Sequence, residues 1–250
     1  MSIVSRSLKI FWRLLKFAAT ALVAFVCIFL LWRVFSRGTP KELELLSVNE
    51  KIYDSYVENG GELEYFRQEH LTLTSDGLFG VTDCIFIPDA NQIQLVVRYN
   101  NSTLRALTEK YGLEAVPDRE KNVFDVTLLL QTDLTPDNDT DNGGNIPEAV
   151  EYTRWHGKVY LSESKNLYNF RRIVFDLDES VDEYGISLKE LMENGTLLAI
   201  YADFYYVEDI DYEATPYGTL FLYDYLAEND FEEISAKEKR AIEKFGERED

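Results

Sequence analysis

The sequence predicts a mainly β protein, in which an N-terminal transmembrane helix precedes an antiparallel β-sandwich of jelly-roll or immunoglobulin-like type with two or three short helices. Three observations carry that expectation. The stretch FAATALVAFVCIFLLW, Phe17 to Trp32, holds sixteen residues without a charge. From about residue 63 apolar residues recur at every second position, the period of a half-buried strand. Charge divides the chain as well: residues 1–41 hold seven Lys and Arg and no acid, while the remaining 209 hold 18 basic and all 45 acidic residues, a formal balance of −27.

The apolar run is long enough to cross a bilayer once its flanks are counted. A hydrocarbon core about 30 Å thick needs roughly 20 helical residues at about 1.5 Å each. Leu14, Leu15, Val34 and Phe35 extend the run to the 22 residues 14–35, with the stems of Lys16 and Arg33 carrying their charges to the interfaces. Trp12 and Trp32 bracket it as interfacial aromatics. Trp32, Arg33, Val34, Phe35, Ser36 and Arg37 follow the run, so no small-residue cleavage site is present and the segment is expected to stay as a signal anchor. The lipid bilayer is therefore the expected partner of residues 14–35.

Orientation follows from the flanking charge. The amino terminus, Arg6, Lys9, Arg13 and Lys16 precede the span and Arg33, Arg37 and Lys41 follow it. That excess places residues 1–13 in the cytoplasm and the C-terminal domain outside the plasma membrane of a single-pass protein. Ile3, Val4, Leu8, Phe11 and Leu15 sit among the basic residues at near-helical spacing, as in a helix that starts on the inner membrane surface.

After the span, Pro40 opens the helical pattern KELELLSVNEKIYDSYVENGG, with Leu45, Val48, Ile52 and Tyr56 on one stripe and Gly60-Gly61 as its stop. Residues 36–62 thus read as a juxtamembrane stalk or as a helix packed on the domain. The expected sandwich covers residues 63–231. Its clearest strands are QIQLVVRY, VFDVTLLLQT, GKVYLSE, FRRIVFDLD, LLAIYADFYYV and GTLFLYDY, with weaker ones near 70–74 and 80–87, about eight in all. In the first of these Ile93, Leu95, Val97 and Tyr99 point inward, and Gln92, Gln94 and Arg98 form the polar face. STLRALTEKYG begins at a Ser or Thr cap and ends at Gly112. SLKELMENG pairs Ser187 with Glu190 as a capping box. Residues 232–250, with a Ser235/Glu238 capping box and little apolar surface, are expected to be an exposed helix or a frayed end.

Composition removes some function classes. So acidic a domain is repelled by nucleic acid, which is set aside as a partner. Cys27 lies in the span and Cys84 is alone in the domain, so no intrachain disulfide is available, and a domain of this size buries enough core without one. The missing disulfide framework points to a bacterial cell surface, where the sequons at Asn100, Asn101, Asn138 and Asn194 carry no glycans.

Two features carry candidate chemistry. In PDNDTDNGGNIPE, Asp137, Asp139 and Asp141 are spaced by two and Glu148 falls at the twelfth place, the oxygen-ligand spacing of a calcium loop. Asn142 stands where the glycine of an EF-hand belongs, and a strand precedes the loop instead of a helix. The same Asn, Asp and Gly content also suits a solvated hairpin loop. The second feature is the run Glu190–Glu233, with twelve acids, ten Tyr and Phe and no Lys or Arg. Tyr201, Tyr205, Tyr223 and Tyr225 are expected on the outward face with Asp203 among them, as a platform for sugar rings or a protein partner.

Enzyme motifs are sparse. His70 and His156 lack metal-ligand spacing, and no nucleophile elbow or phosphate-binding glycine loop occurs. Asp176 and Asp178, two apart on one strand, or the Asp203 neighbourhood, are the nearest thing to a glycosidase carboxylate pair. The expectation is a non-catalytic extracytoplasmic binding or accessory domain of the cell envelope, with an unidentified protein or glycan partner and no resident cofactor unless the acidic loop takes Ca2+. A calcium-dependent adhesin, a carbohydrate-binding protein and a glycan-active enzyme are the alternatives. The solvated-hairpin reading of residues 137–148 expects the same melting temperature in EDTA and in millimolar calcium. A calcium-induced rise of several degrees makes the loop a ligand set instead.

Overall fold

The computed structural model describes residues 3–35, 39–68, 72–73, 79–133, 150–165, 167–177, 187–193, 197–207, 216–224 and 231–248. The chain divides into two compact units, Met1–Gly38 and Thr39–Asp250. The first holds one helix, α1 (Ile3–Phe35, 33 residues). Its window Phe11–Trp32, 22 residues of mean hydropathy 2.5, is long and apolar enough to cross a membrane.

The second unit is built from two antiparallel sheets. The larger contains β1 (Glu64–Gln68), β2 (Thr72–Leu73), β3 (Gly80–Ile87), β4 (Gln92–Asn100), β7 (Lys158–Lys165), β8 (Tyr168–Asp176) and β11 (Glu232–Glu233). Its order is β11-β1-β3-β4-β8-β7, with β2 also paired to β3. The smaller contains β5 (Phe124–Asp133), β6 (Val150–His156), β9 (Leu197–Tyr206) and β10 (Gly218–Asp224), in the order β10-β9-β5-β6. The chain passes between the sheets four times, after β4, β6, β8 and β10. The passage from β6 to β7 takes a single residue, Gly157. A Cβ there would lie 2.3 Å from Ile173 and 2.6 Å from Phe175, so only glycine fits the corner.

Alternation in the sequence positions the shared core. Phe86, Ile93, Leu95, Val97, Ile173 and Phe175 of the larger sheet join Phe124, Val126, Leu128, Leu130, Ile200, Phe204, Leu220 and Leu222 of the smaller in one buried cluster. Phe79 is at its centre, edge-on to Phe124 at 4.4 Å and to Phe204 at 4.2 Å, the arrangement ring quadrupoles favour. Leu104 and Leu107 of α3 (Asn101–Tyr111) and Leu188, Leu191 and Met192 of α4 (Leu188–Glu193) complete it. The cap of α3 is Asn100, which accepts from Ser102 and Thr103; Thr103 is the third helical residue and not the cap. Gly112 ends α3 in the left-handed region at φ 62°, and Ser187 with Glu190 forms the expected reciprocal pair.

The strands that alternation left out are β1, β6 and β11. In β6 the sequence YTRWH mixes polar and aromatic residues without period two, so alternation gives no strand signal there. Other expectations change more. The pattern from Pro40 is not one helix: a single 3-10 turn (Lys41–Leu43) is followed by a bend and an irregular stretch, and α2 (Glu50–Glu58) begins only where Asn49 caps it by accepting from Ile52. Nor are residues 232–250 an exposed tail. Ser235 and Glu238 form their capping box at the start of α5 (Ala236–Gly246), and Ile234 and Ile242 are buried with Leu46, Ile52, Leu63, Tyr65, Ile85 and Ile87. The helix has little apolar surface because one isoleucine and the close seating of Gly246 on the Tyr53 ring are enough to dock it on α2.

The outward face of the larger sheet is also covered. Gln92, Gln94 and Arg98, expected to face solvent, are all buried. Residues 43–47, from the end of the 3-10 turn onward, lie against this face at Gln94, and each residue of that stretch hands a backbone group to a side chain. Arg172 donates to the carbonyls of Leu43 and Leu45, and Arg67 donates to that of Glu44. Glu238 accepts from the amide of Leu46 at 3.4 Å. Gln94 accepts from Ser47 N and donates to Ser47 O, both at 2.9 Å, as a neighbouring strand would. Beyond it Gln94 donates to Gln92 at 2.7 Å, Gln92 donates to Asp176 at 2.7 Å, and Lys51 pairs with Asp176 at 3.6 Å.

Asp83 anchors the cationic half of this clasp. Arg67 grips it with two bonds, Nε to Oδ1 at 3.0 Å and Nη2 to Oδ2 at 2.8 Å, and Arg172 lies 3.7 Å away. Arg172 is fully buried and two of its nitrogens find no partner among the described residues; burial pushes the guanidinium down to about 10, still charged at neutral pH. Asp83→Ala leaves two guanidinium groups without their counter-charge and is expected to cost about 3–5 kcal/mol in urea denaturation. A loss below about 1 kcal/mol would show that the carbonyl contacts alone hold the segment.

Cys84 follows Asp83 and faces the shared core. Burial, with Asp83 adding to it and Arg172 opposing, raises its thiol well above the ordinary value. A raised thiol contributes stability that is intact below the unfolded value of about 8.5 and is lost as pH rises through the folded one. In a Cys27→Ser chain, Cys84 is therefore expected to resist iodoacetamide at pH 9 when folded and to react in urea. Equal rates in both states would contradict the burial of its thiol.

Candidate binding surfaces

The smaller sheet presents its outward face as cross-strand rungs. In one rung Phe221 of β10, Tyr201 of β9 and Leu129 of β5 are successive partners. In the next the partners are Thr219, Asp203 and Thr127, and beyond it Tyr205 pairs with Asp125. Tyr201 and Asp203 thus share a face as expected, but the face is not an open tyrosine platform. Asp203 is 7 % and Tyr205 4 % exposed. Thr219 donates to Asp203 at 2.5 Å, which occupies the carboxylate with a structural bond, and the Thr127 hydroxyl beside it is buried without a partner.

What remains accessible is narrower than the sequence suggested. Tyr201 is half-buried, and Phe221, 44 % exposed, has its ring centroid 5.4 Å away. A register shift between Phe221 and Tyr223 gives Tyr223 the core residue Ile200 as its partner, so simple alternation from Tyr201 does not carry to it. Tyr225 lies outside the described residues. So do Asp137, Asp139, Asp141 and Glu148 of the acidic loop, and also His70 and Asp178. Among the described residues no group of three or more His, Cys, Asp or Glu converges as metal ligands would. Asp176 is held by Gln92 and Lys51 on the larger sheet and Asp203 by Thr219 on the smaller one.

A different surface comes from topology. β7 is the terminal strand of the larger sheet, paired to β8 on one side only among the described residues. The sequence reads Val159 and Leu161 as core, yet they are 38 % and 37 % exposed, with Tyr160 at 50 % and Leu167 in the following turn at 58 %. Alternation does not carry through this strand, since Val159 is registered with the core residue Ile173 and Leu161 with Arg172 of the opposite face, and β8 is the one strand paired with β7 among the described residues. A register shift between Val159 and Leu161 bulges the strand at Tyr160, whose hydroxyl donates to the carbonyl of Val48 at 2.7 Å. From Leu161 to Lys165 the pairing with β8 is regular, and among the described residues no second strand pairs with Leu161–Ser164, the geometry to which a strand can add.

A cleft of about 280 Å³ opens where the loop after α3 meets the end of β9, lined by Leu113, Val116, Pro117, Lys121, Val123 and Tyr206 among others. Its floor is rigid. Arg171 donates through Nη2 to the carbonyls of Arg119 at 3.0 Å, Glu120 at 2.8 Å and Lys121 at 3.4 Å, and the Tyr99 hydroxyl donates to Arg119 O at 3.0 Å. Burial raises the Tyr99 hydroxyl above its ordinary value despite Arg171, so it remains a neutral donor at physiological pH. These carbonyls are taken up by the protein's own side chains, and the cleft lining mixes apolar residues with Glu114, Asp118, Lys121 and Asn122. No protein-family model matches this chain, and neither a curated protein nor a solved structure does.

Proposed function

We propose that this chain is a single-pass membrane protein, with its N-terminus in the cytoplasm, that displays an extracytoplasmic antiparallel β-sandwich and works by binding, as an accessory or interaction component of the cell envelope. The observation that carries the binding assignment is the free edge of β7. Four of the exposed large apolar side chains of the second unit fall between residues 159 and 167. Apolar exposure concentrated on an unpaired strand is the feature an extended partner segment adds to, through main-chain hydrogen bonds and alternate side-chain contacts.

The membrane assignment draws on the apolar window of α1 and on the basic excess before it. Charge favours a basic partner segment, since residues 42–250 carry a formal −27 while β7 itself holds Lys158 and Lys165 against Glu163. A glycan reading has narrower support, the Tyr201–Phe221 pair, because Asp203 and Tyr205 are buried.

The test places a photo-crosslinking amino acid at Tyr160, Leu167 or Val57 of the full chain in living cells, Val57 being exposed but on α2. Discrete adducts are expected from positions 160 and 167, none from 57, and Leu161→Lys is expected to abolish them. Adducts of equal yield at all three positions, or none at 160 and 167, would overturn the β7 assignment. Protease added outside intact cells is expected to cleave the domain, and full protection would reverse the topology.

A further inference from the structure

The 33 residues of α1 extend for about 50 Å at 1.5 Å each, and the apolar window accounts for about 33 Å of that length. About two turns, Ile3 to Ile10, therefore precede the window within the same continuous helix. Arg6, Lys9, Arg13 and Lys16 occupy the positions i, i+3, i+7 and i+10 of this segment. At roughly 100° per residue the four fall within an arc of about 80°. Ile3, Val4, Leu8, Phe11, Leu14 and Leu15 occupy the opposite side of the helix. No Asp or Glu occurs in residues 1–41, so no acid in this region neutralises the stripe. Arg33 is the remaining basic residue of α1, at its far end.

We propose that this stripe is a binding site for anionic phospholipid headgroups on the membrane face where α1 begins. The inference rests on α1 spanning the bilayer and adds to it a lipid class. Orientation by charge counting needs only the number of basic residues and is indifferent to their angle. Four cations gathered on one side, two of them within the first two turns and two at the start of the apolar window, converge instead on one or two phosphates at headgroup depth. The apolar residues opposite keep the helix at that depth, which selects a lipid phosphate over a free one.

The test keeps composition and depth and changes only the angle. Exchanging Leu8 with Lys9 (Leu8→Lys, Lys9→Leu) and Arg13 with Leu14 (Arg13→Leu, Leu14→Arg) spreads the four charges around the helix at intervals of about 80–120°. Full-length protein in detergent is offered phosphatidylglycerol and phosphatidylcholine in competition, and the bound lipid is read by native mass spectrometry. The wild-type chain is expected to retain phosphatidylglycerol in preference by roughly tenfold, with the preference falling as salt rises, and the exchanged variant is expected to lose it. A wild-type chain without preference, or an exchanged variant as selective as the wild type, overturns the site. Alkaline extraction of cell membranes separates the two claims. A chain released at alkaline pH that still selects phosphatidylglycerol removes the spanning helix and leaves the headgroup site. A retained chain without selectivity removes the site alone.

Discussion

A backbone laid across the back of a sheet without pairing to it must find partners for its amides and carbonyls, because each buried polar group left unmade costs about 1–3 kcal/mol. Residues 43–47 meet that requirement largely through side chains, from Arg67, Arg172, Gln94 and Glu238, while the amides of Leu43 and Glu44 turn back onto the carbonyls of Pro40 and Lys41. Much of the second unit depends on this arrangement. It lets a non-sheet segment cover the face of β3, β4 and β8 that would otherwise be wet, and it ties α5 to β8 through a stretch that belongs to neither. The two guanidinium groups are balanced by Asp83 and Glu238, so charge is buried in the clasp without a large net excess.

The two sheets are therefore unequal. The larger has apolar residues on its inner face and a hydrogen-bonded polar layer on the other, with Ile85 and Ile87 meeting α2 and α5 and Val96 and Phe170 meeting Leu43. That double burial leaves it little accessible surface except at its end, where β7 has no further strand. Its bulge at Tyr160 and its terminal lysines are devices that discourage indiscriminate pairing, while Leu161 to Lys165 stay regular.

Charge assigns the two units different surroundings. The basic residues of the first 41 positions and the acidic balance of the rest are opposite electrostatic preferences, which would favour anionic headgroups in the first case and disfavour them in the second. The buried carboxylates, Asp83, Asp203 and Glu238, are each held by hydrogen bonds or ion pairs, so the ionisable groups of the interior serve the architecture.

Sequence alone determined what depends on neighbours a few residues apart. The apolar helix, six strong strands, the inward residues of β4, β5, β8 and β9, and the caps at Ser187, Ser235 and Gly112 follow from local periodicity and local hydrogen bonding. Tyr201 and Asp203 were placed on one face for the same reason. Tertiary structure decided what depends on contacts between distant segments. Gln92 and Gln94 are polar in any sequence reading, yet they are core residues here because Ser47 and Asn49, more than 40 positions earlier, supply their partners. Ile242 looks too isolated to dock a helix until Ile52 and Leu63 meet it. Tyr205 and Asp203 leave the surface because period two reports which residues share a face but not whether anything lies against that face, and Val159 and Leu161 reach it because a bulge in an edge strand breaks their period. Strand order settles that, and strand order is a long-range property of the chain.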